Sequence, residues 1–246
     1  FQLLANAPLA EFNFAMLGGY FVTEVVMYAT GFLIARRVFK TDVMEAALLG
    51  LAIALTNHIL FVLPIAVTLF GETAAMPIVA IISMDGILIF SGSLILMDVL
   101  STKGASLGHT LGKITRNPPL VAMVLGLVIG LLGVSVPAGF DVFADFLGAT
   151  ASPVLLFALG VILSQKASGA RAMLPVAITG VKLVVHPLLA WAIFAGVLQL
   201  TPEVRNPAMM VAAAPCGAMC FMLALNYGVR VDAIARAILY SSIGSL

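Results

Sequence analysis

The stretch Thr56–Gly71, TNHILFVLPIAVTLFG, decides how the rest of the chain is read. It is nearly all apolar, yet an Asn–His pair opens it and a proline sits in its middle. A helix in hydrocarbon must satisfy its own backbone, because no water is there to bond it. A proline inside a helix deletes one of those bonds and presses on the preceding turn. Asn57, His58 and Pro64 therefore predict an interrupted helix, with a passive proline kink as the plain alternative.

The composition sets the surroundings of that interruption. Of the 246 residues 62% are hydrophobic and 9% charged, and the mean hydropathy is +1.17. Soluble domains run at about 45–50% apolar and about 25% charged, so the chain reads as an integral membrane protein. The basic residues are scattered singly or in small groups, which excludes a nucleic-acid footprint. Cys216 and Cys220 lie in one apolar segment and suggest neither a disulfide framework nor, without further ligands, a metal site. Small residues packing at a helix crossing are the simpler reading of both. No ATP-binding loop, no H-E-x-x-H and no Ser/His/Asp set is apparent, so neither an enzyme nor a cofactor is expected.

Long continuous apolar runs, not alternating ones, predict helices. Eight are visible: Leu17–Ala35, Val43–Phe70, Ala75–Leu100, Pro119–Val136, Ala149–Ser164, Ala172–Leu198, Glu203–Tyr227 and Val231–Leu246. The charges test this division. Arg36, Arg37, Lys40, Lys103, Lys113, Arg116, Lys166, Arg171, Arg230 and Arg236 fall on one side, Arg205 on the other and Lys182 inside a span. The positive-inside rule places the first side in the cytoplasm. Between the fourth and fifth runs, PAGFDVFADFLG (137–148) repeats Phe140, Phe143 and Phe146, as a short interfacial helix or a plain loop would allow. Residues 1–12 read as the tail of an earlier span and the last run stops in mid-span, so a longer protein is expected.

The seventh run, MMVAAAPCGAMCFMLALNYG (209–228), repeats the design of the second, with Pro215 and Gly217 near its centre. The two are five spans apart in order, so they run in opposite directions. Interrupted helices at matching places of two halves point to an inverted repeat and to a transporter's binding site. For Pro153 and Pro187 a passive kink is the simpler reading.

The motifs NHILFVLP (57–64) and APCGAMCFMLALNYGV (214–229) are similar to the fourth and ninth helices of the auxin efflux carrier family. RNPPL (116–120), SPVLLFALGVIL (152–163) and KLVVHPLL (182–189) also look like its bacterial members. The resemblance covers essentially the whole chain and matches the family at Asn57, Pro64, Pro215 and Gly217. It implies an all-α, ten-helix, five-plus-five inverted-repeat transporter with two broken crossing helices, eight of whose spans are visible. Residues 1–100 would hold the end of a preceding span and the first repeat's transport-domain helices. Residues 101–170 would hold a cytoplasmic loop and two scaffold helices, and 171–246 the second repeat's transport-domain helices. It implies a multi-pass protein of the bacterial inner membrane and organic-anion substrates such as malonate or malate, with homodimerisation through the scaffold helices as an option. Plant carriers have a Gln and a second Pro where this chain has Cys216 and Cys220, which weighs against auxin.

A charge inside a span costs about 2.5–3.5 kcal/mol on insertion scales, so Glu24, Asp85 and Lys182 need reasons. A proton relay or substrate counter-charge competes with a structural ion pair between packed helices. His58 and His186 are of a residue type titratable near neutral pH; for His186, next to Pro187, bonding a freed carbonyl is the simpler reading. The substrate-site candidates are Asn57, His58, Pro64, Pro215, Cys216 and Gly217, and the coupling candidates Glu24, Asp85, Lys182 and His186. Thr56 and Asn57 offer sodium few oxygens and no carboxylate, so protons are preferred over sodium. A uniporter or channel for organic anions and a non-transporting membrane sensor are the rival functions. Gly18 and Gly19 suggest close helix packing.

Overall fold

The computed structural model describes residues 5, 12–71, 74–102, 112, 115, 116, 118–164 and 172–245. The readings of residues 1–11, Lys103, Lys113, Lys166 and Arg171 lie outside the described residues.

Among the described residues the architecture is all-helical, with a single isolated bridge between extended residues. Helix α1 is Phe14–Val38. The side-chain oxygen of Asn13 caps it by accepting from the Met16 N–H at 3.0 Å. Asp42 does the same for α2, Val43–Ala54, accepting from Met44 and Glu45. Such caps satisfy N–H groups that a helix start leaves without partners. After the first interruption the chain winds a wide turn, His58–Val62, and continues as α3, Leu63–Phe70. Then follow α4, Ala75–Ser101; α5, Pro118–Leu132; α6, Ala138–Ser164; and α7, Met173–Val197. The second interruption separates α8, Pro202–Ala213, from α9, Met219–Asn226. Helix α10 is Asp232–Gly244.

Helices α1, α4 and α7 are each long and apolar enough to cross a membrane, and α2 and the Leu120–Leu132 part of α5 are shorter apolar helices. Two sequence expectations change. The 137–148 segment is no separate interfacial helix or loop: it is the first part of α6, which runs on through Pro153. Its phenylalanine period is already helical, and nothing between Ala138 and Pro153 breaks it. The first interruption also lies upstream of its expected centre. Pro64 belongs to the resumed helix, just after the wide turn His58–Val62. Pro187 likewise follows a wide turn, Val181–Val185. A turn bonded five residues apart instead of four gives the proline ring room against the carbonyl before it.

Two buried apolar clusters fill the bundle. One gathers α2, α9 and α10 around Leu48, Leu51, Phe221 and Ile234. The other gathers α1, α4, α7 and α8 around Met16, Ile78, Phe194 and Val211. Helices α1 and α2 pack most extensively, because glycines let their backbones meet. A Cβ on Gly31 would fall 3.0 Å from the Gly50 Cα, and one on Gly50 would fall 2.6 Å from the Tyr28 carbonyl oxygen. Of the Gly18–Gly19 pair only Gly19 is packed, against Leu198, Ile193 and Phe194; Gly18 faces open space.

Gly50→Ala must therefore push α1 and α2 apart. Overpacking costs about 1–3 kcal/mol, and thermal unfolding of the purified protein in detergent should show a clear fall in midpoint. Gly18→Ala, with nothing near its Cβ, should leave the midpoint unchanged or raise it.

Candidate functional site

The two interruptions cross each other. Leu55 and Ala214 are both extended residues that end the first half-helices, α2 and α8. Thr56 and Cys216 then form an antiparallel bridge. The Asn57 N–H donates to the Pro215 carbonyl at 3.2 Å, and the Gly217 N–H donates to the Leu55 carbonyl at 2.8 Å. Each break thus supplies the hydrogen-bond partners that the other lost. Gly217 is required by the approach: its Cβ would lie 3.1–3.2 Å from the Leu55 side chain and backbone.

Side chains complete the crossing. Thr56 Oγ1 donates to the Val211 carbonyl at 3.1 Å and accepts from Lys182 Nζ at 2.7 Å. Ser241 Oγ, from α10, accepts the Cys216 N–H at 3.0 Å. Lys182 is fully buried, and its ammonium also lies 2.9 Å from His186 Nδ1. An ammonium has only donors, so His186 accepts at Nδ1 and carries its proton on Nε2. That nitrogen faces the Ile53 carbonyl at the end of α2 but is not aligned to bond it. The expected role of His186 toward a freed carbonyl is therefore met only in position.

A direct Asp85–Lys182 ion pair, one of the readings left open for these charges, does not form, since Lys182 is turned to Thr56 and His186. The polar atom close to Asp85 is His58 Nε2, 2.9 Å from Oδ2. The ring is not aligned to donate, so neither atom completes a hydrogen bond. Glu24 is fully buried on α1 and faces Asp85. Two carboxylates thus stand beside a crossing that had been read as offering none. His58, Asp85 and Lys182 all sit in wide turns: His58–Val62, Asp85–Phe90 and Val181–Val185. Such turns recur at functional sites because they re-aim side chains off the regular helix.

Asn57 is half-buried at the break and does not cap the helix that follows. Pro215, Cys216 and Gly217 are buried in the crossing itself. Pro64 is exposed, more than a turn beyond it. Cys220 turns its thiol to the Gly217 carbonyl at 2.9 Å. Tyr20 and Ser241 were missed by the sequence reading. Both are single polar groups on otherwise ordinary helical faces, and only the fold brings them to the breaks.

Residues 2–246 match the family described as Membrane transport protein, the auxin efflux carrier type that the motifs resemble. The chain belongs to that family. Its members are multi-pass membrane proteins that move small molecules, and transport is the function class of this chain. The chain is also similar to a protein of Rhizobium meliloti (strain 1021) named "Putative malonate transporter", at 25% identity over 255 residues covering 100% of this chain and 78% of the relative.

The crossing of the two breaks depends on a side chain from outside them. Ser241→Ala would leave the buried Cys216 N–H without its acceptor, which costs about 1–3 kcal/mol. Thermal unfolding should show that loss. Ser242→Ala, which removes only a bond to the Ile238 carbonyl of its own helix, should fall within about 0.5 kcal/mol of wild type.

Proposed function

We propose that this protein is a secondary carrier for a small organic anion, a dicarboxylate such as malonate or malate, with its binding site at the crossing. The antiparallel bridge between the two breaks is the observation that carries the reading. Two half-helices, the His58–Val62 turn leading into α3 and α9, begin at that crossing. A helix start exposes N–H groups and carries partial positive charge. Opposed starts near mid-membrane suit an anion with carboxylates at two ends. Asn57 adds a side-chain amide at the same place, and the Lys182 ammonium adds a positive charge one hydroxyl away. The name given to the Rhizobium relative agrees with a dicarboxylate.

In this reading the chain is eight spans of a ten-helix inverted repeat. Helices α1–α4 and α7–α10 form the transport body, and α5 and α6 belong to a scaffold in a bacterial inner membrane. The body moves against the scaffold and exposes the crossing to each side in turn. Coupling runs through the Glu24, Asp85, His58, Lys182 and His186 group, with protons preferred to sodium.

Reconstitution into liposomes tests this. Uptake of labelled malonate or malate should saturate, and unlabelled substrate trapped inside should accelerate it. Linear flux without such counterflow would indicate a channel, and binding without flux a sensor. A hydrogen bond to a charged group contributes about 1.5–3 kcal/mol, or roughly 10–100-fold. Asn57→Ala should therefore lower apparent substrate affinity by about that factor while its unfolding midpoint stays near wild type. An Asn57→Ala protein that transports like wild type would remove Asn57 from the site.

A further inference from the structure

We propose that Glu24 and Asp85 hold one proton between them, as a carboxyl group hydrogen-bonded to a carboxylate, and that this shared proton is the one taken up with the substrate. The inference rests on the carrier reading above and assigns its coupling site.

Glu24 is 0% exposed and Asp85 3%. The two side chains face each other, and none of their four carboxylate oxygens has a hydrogen-bond partner. Ionised carboxylates only accept. Two of them together in a dry place repel, and the one polar contact given to either is the unaligned His58 Nε2, 2.9 Å from Asp85 Oδ2. One proton changes this: a carboxyl on one residue donates to the carboxylate of the other, and a single negative charge is left.

The groups around the pair fix the charge balance. Tyr20 approaches from α1, His58 from the turn after the first break, Lys182 and His186 from α7, and Cys216 from the second break. Lys182 supplies one positive charge within electrostatic reach, but its hydrogen bonds go to Thr56 and His186. His186 is neutral because it accepts from that ammonium. His58 stands 2.9 Å from Asp85 without the alignment of an imidazolium–carboxylate bond. Lys182 offsets one carboxylate, and in this proposal the shared proton, not the unaligned His58 ring, offsets the second. Independently, the Tyr20 hydroxyl is fully buried with no hydrogen-bond partner, and its polar neighbours are Glu24, Asp85 and Thr56. It is a donor in reserve for the oxygen that keeps its charge.

Coupling follows from charge. An organic anion arriving at the crossing draws on the positive charge of Lys182 that otherwise balances the pair. Its negative charge favours the protonated pair, and by reciprocity the protonated pair favours the anion. Substrate and proton then bind together.

Two measurements separate this from the carrier reading. Infrared difference spectroscopy of the substrate-free protein should show a protonated carboxyl C=O band at neutral pH, shifted in D2O and absent in both Glu24→Gln and Asp85→Asn. If one variant does not fold, the other and the pH titration of the wild-type band serve. No such band, or a band that both variants retain, overturns the shared proton whatever the substrate. Titration calorimetry with malonate in buffers of different ionisation enthalpy should show almost no net proton uptake at a pH where the band is present and about one proton taken up per substrate at a pH where the free protein has lost it, with affinity falling about tenfold per pH unit in that higher range. In Glu24→Gln both the uptake and the pH slope should vanish. Malonate and malate that fail to bind while the band is present would count against the substrate reading alone. Binding that requires sodium and takes up no proton would overturn the proposal.

Discussion

A peptide group inside hydrocarbon has to find its hydrogen bond within the protein, and the rest of this structure is arranged around two places where a helix cannot supply it. At Leu55–Asn57 and again at Ala214–Ala218 the helical ladder stops. Alone, either break would strand carbonyls of the first half-helix and N–H groups of the second. Crossed, they exchange Asn57 N–H for the Pro215 carbonyl and Gly217 N–H for the Leu55 carbonyl. The exchange needs backbone contact, hence a residue without Cβ at 217, and it needs antiparallel approach, hence helices of opposite direction. The two apolar clusters of the bundle meet at this same level: Leu55 and Cys216 belong to one, Val62 and Ala214 to the other.

The exchange is incomplete, and polar side chains make up the difference. The Val211 carbonyl takes the Thr56 hydroxyl, the Cys216 N–H takes Ser241, and the Thr56 oxygen takes Lys182. The ammonium is thus tied to the backbone of the second break through one hydroxyl. A charge moved at Lys182 is felt by the crossing, and a charge placed at the crossing is felt by Lys182. A buried cation held only by neutral partners is costly, so nearby carboxylates are a physical requirement of the arrangement. Glu24 and Asp85 meet it from helices α1 and α4, which take no part in the breaks.

The sequence made the breaks legible because prolines and polar residues are expensive in a span. Pro64 and Pro215, with Asn57 and Gly217, stood out against apolar runs, and their opposite directions followed from the alternation of Lys and Arg. The first break was read as running from Asn57 to Pro64, and the structure has it at the N-terminal end of that stretch, at Leu55–Asn57. Here the wide turn at His58–Val62 absorbs Pro64, and the extended residues lie before it. The partners of the buried charges were not legible. Asp85 and Lys182 share a depth, which permits a pair, but their directions are set by wide turns that carry no signature in composition or period. Ser241 and Tyr20 gave no signal, since one serine or tyrosine on a packed helix is ordinary.

The packing also bears on how such a site could be opened to either side. Helix α5 touches the rest of the described bundle only thinly. Its Met123 lies over Gly86, 3.6 Å from where a Cβ would stand, and under the Ser91 hydroxyl at 3.5 Å. A groove of about 420 Å³ lined by Ile87, Ile95, Leu120 and Val124 runs alongside. Nothing in that contact resembles the crossed backbone bonds of the breaks. A flexible thioether resting on a glycine and a hydroxyl can slide without leaving a strong hydrogen bond unmade. The breaks, by contrast, cannot separate without stranding backbone groups in hydrocarbon. If one part of this protein moves against another, the cheap surface lies between α4 and α5, and the crossing travels as a unit with its charges.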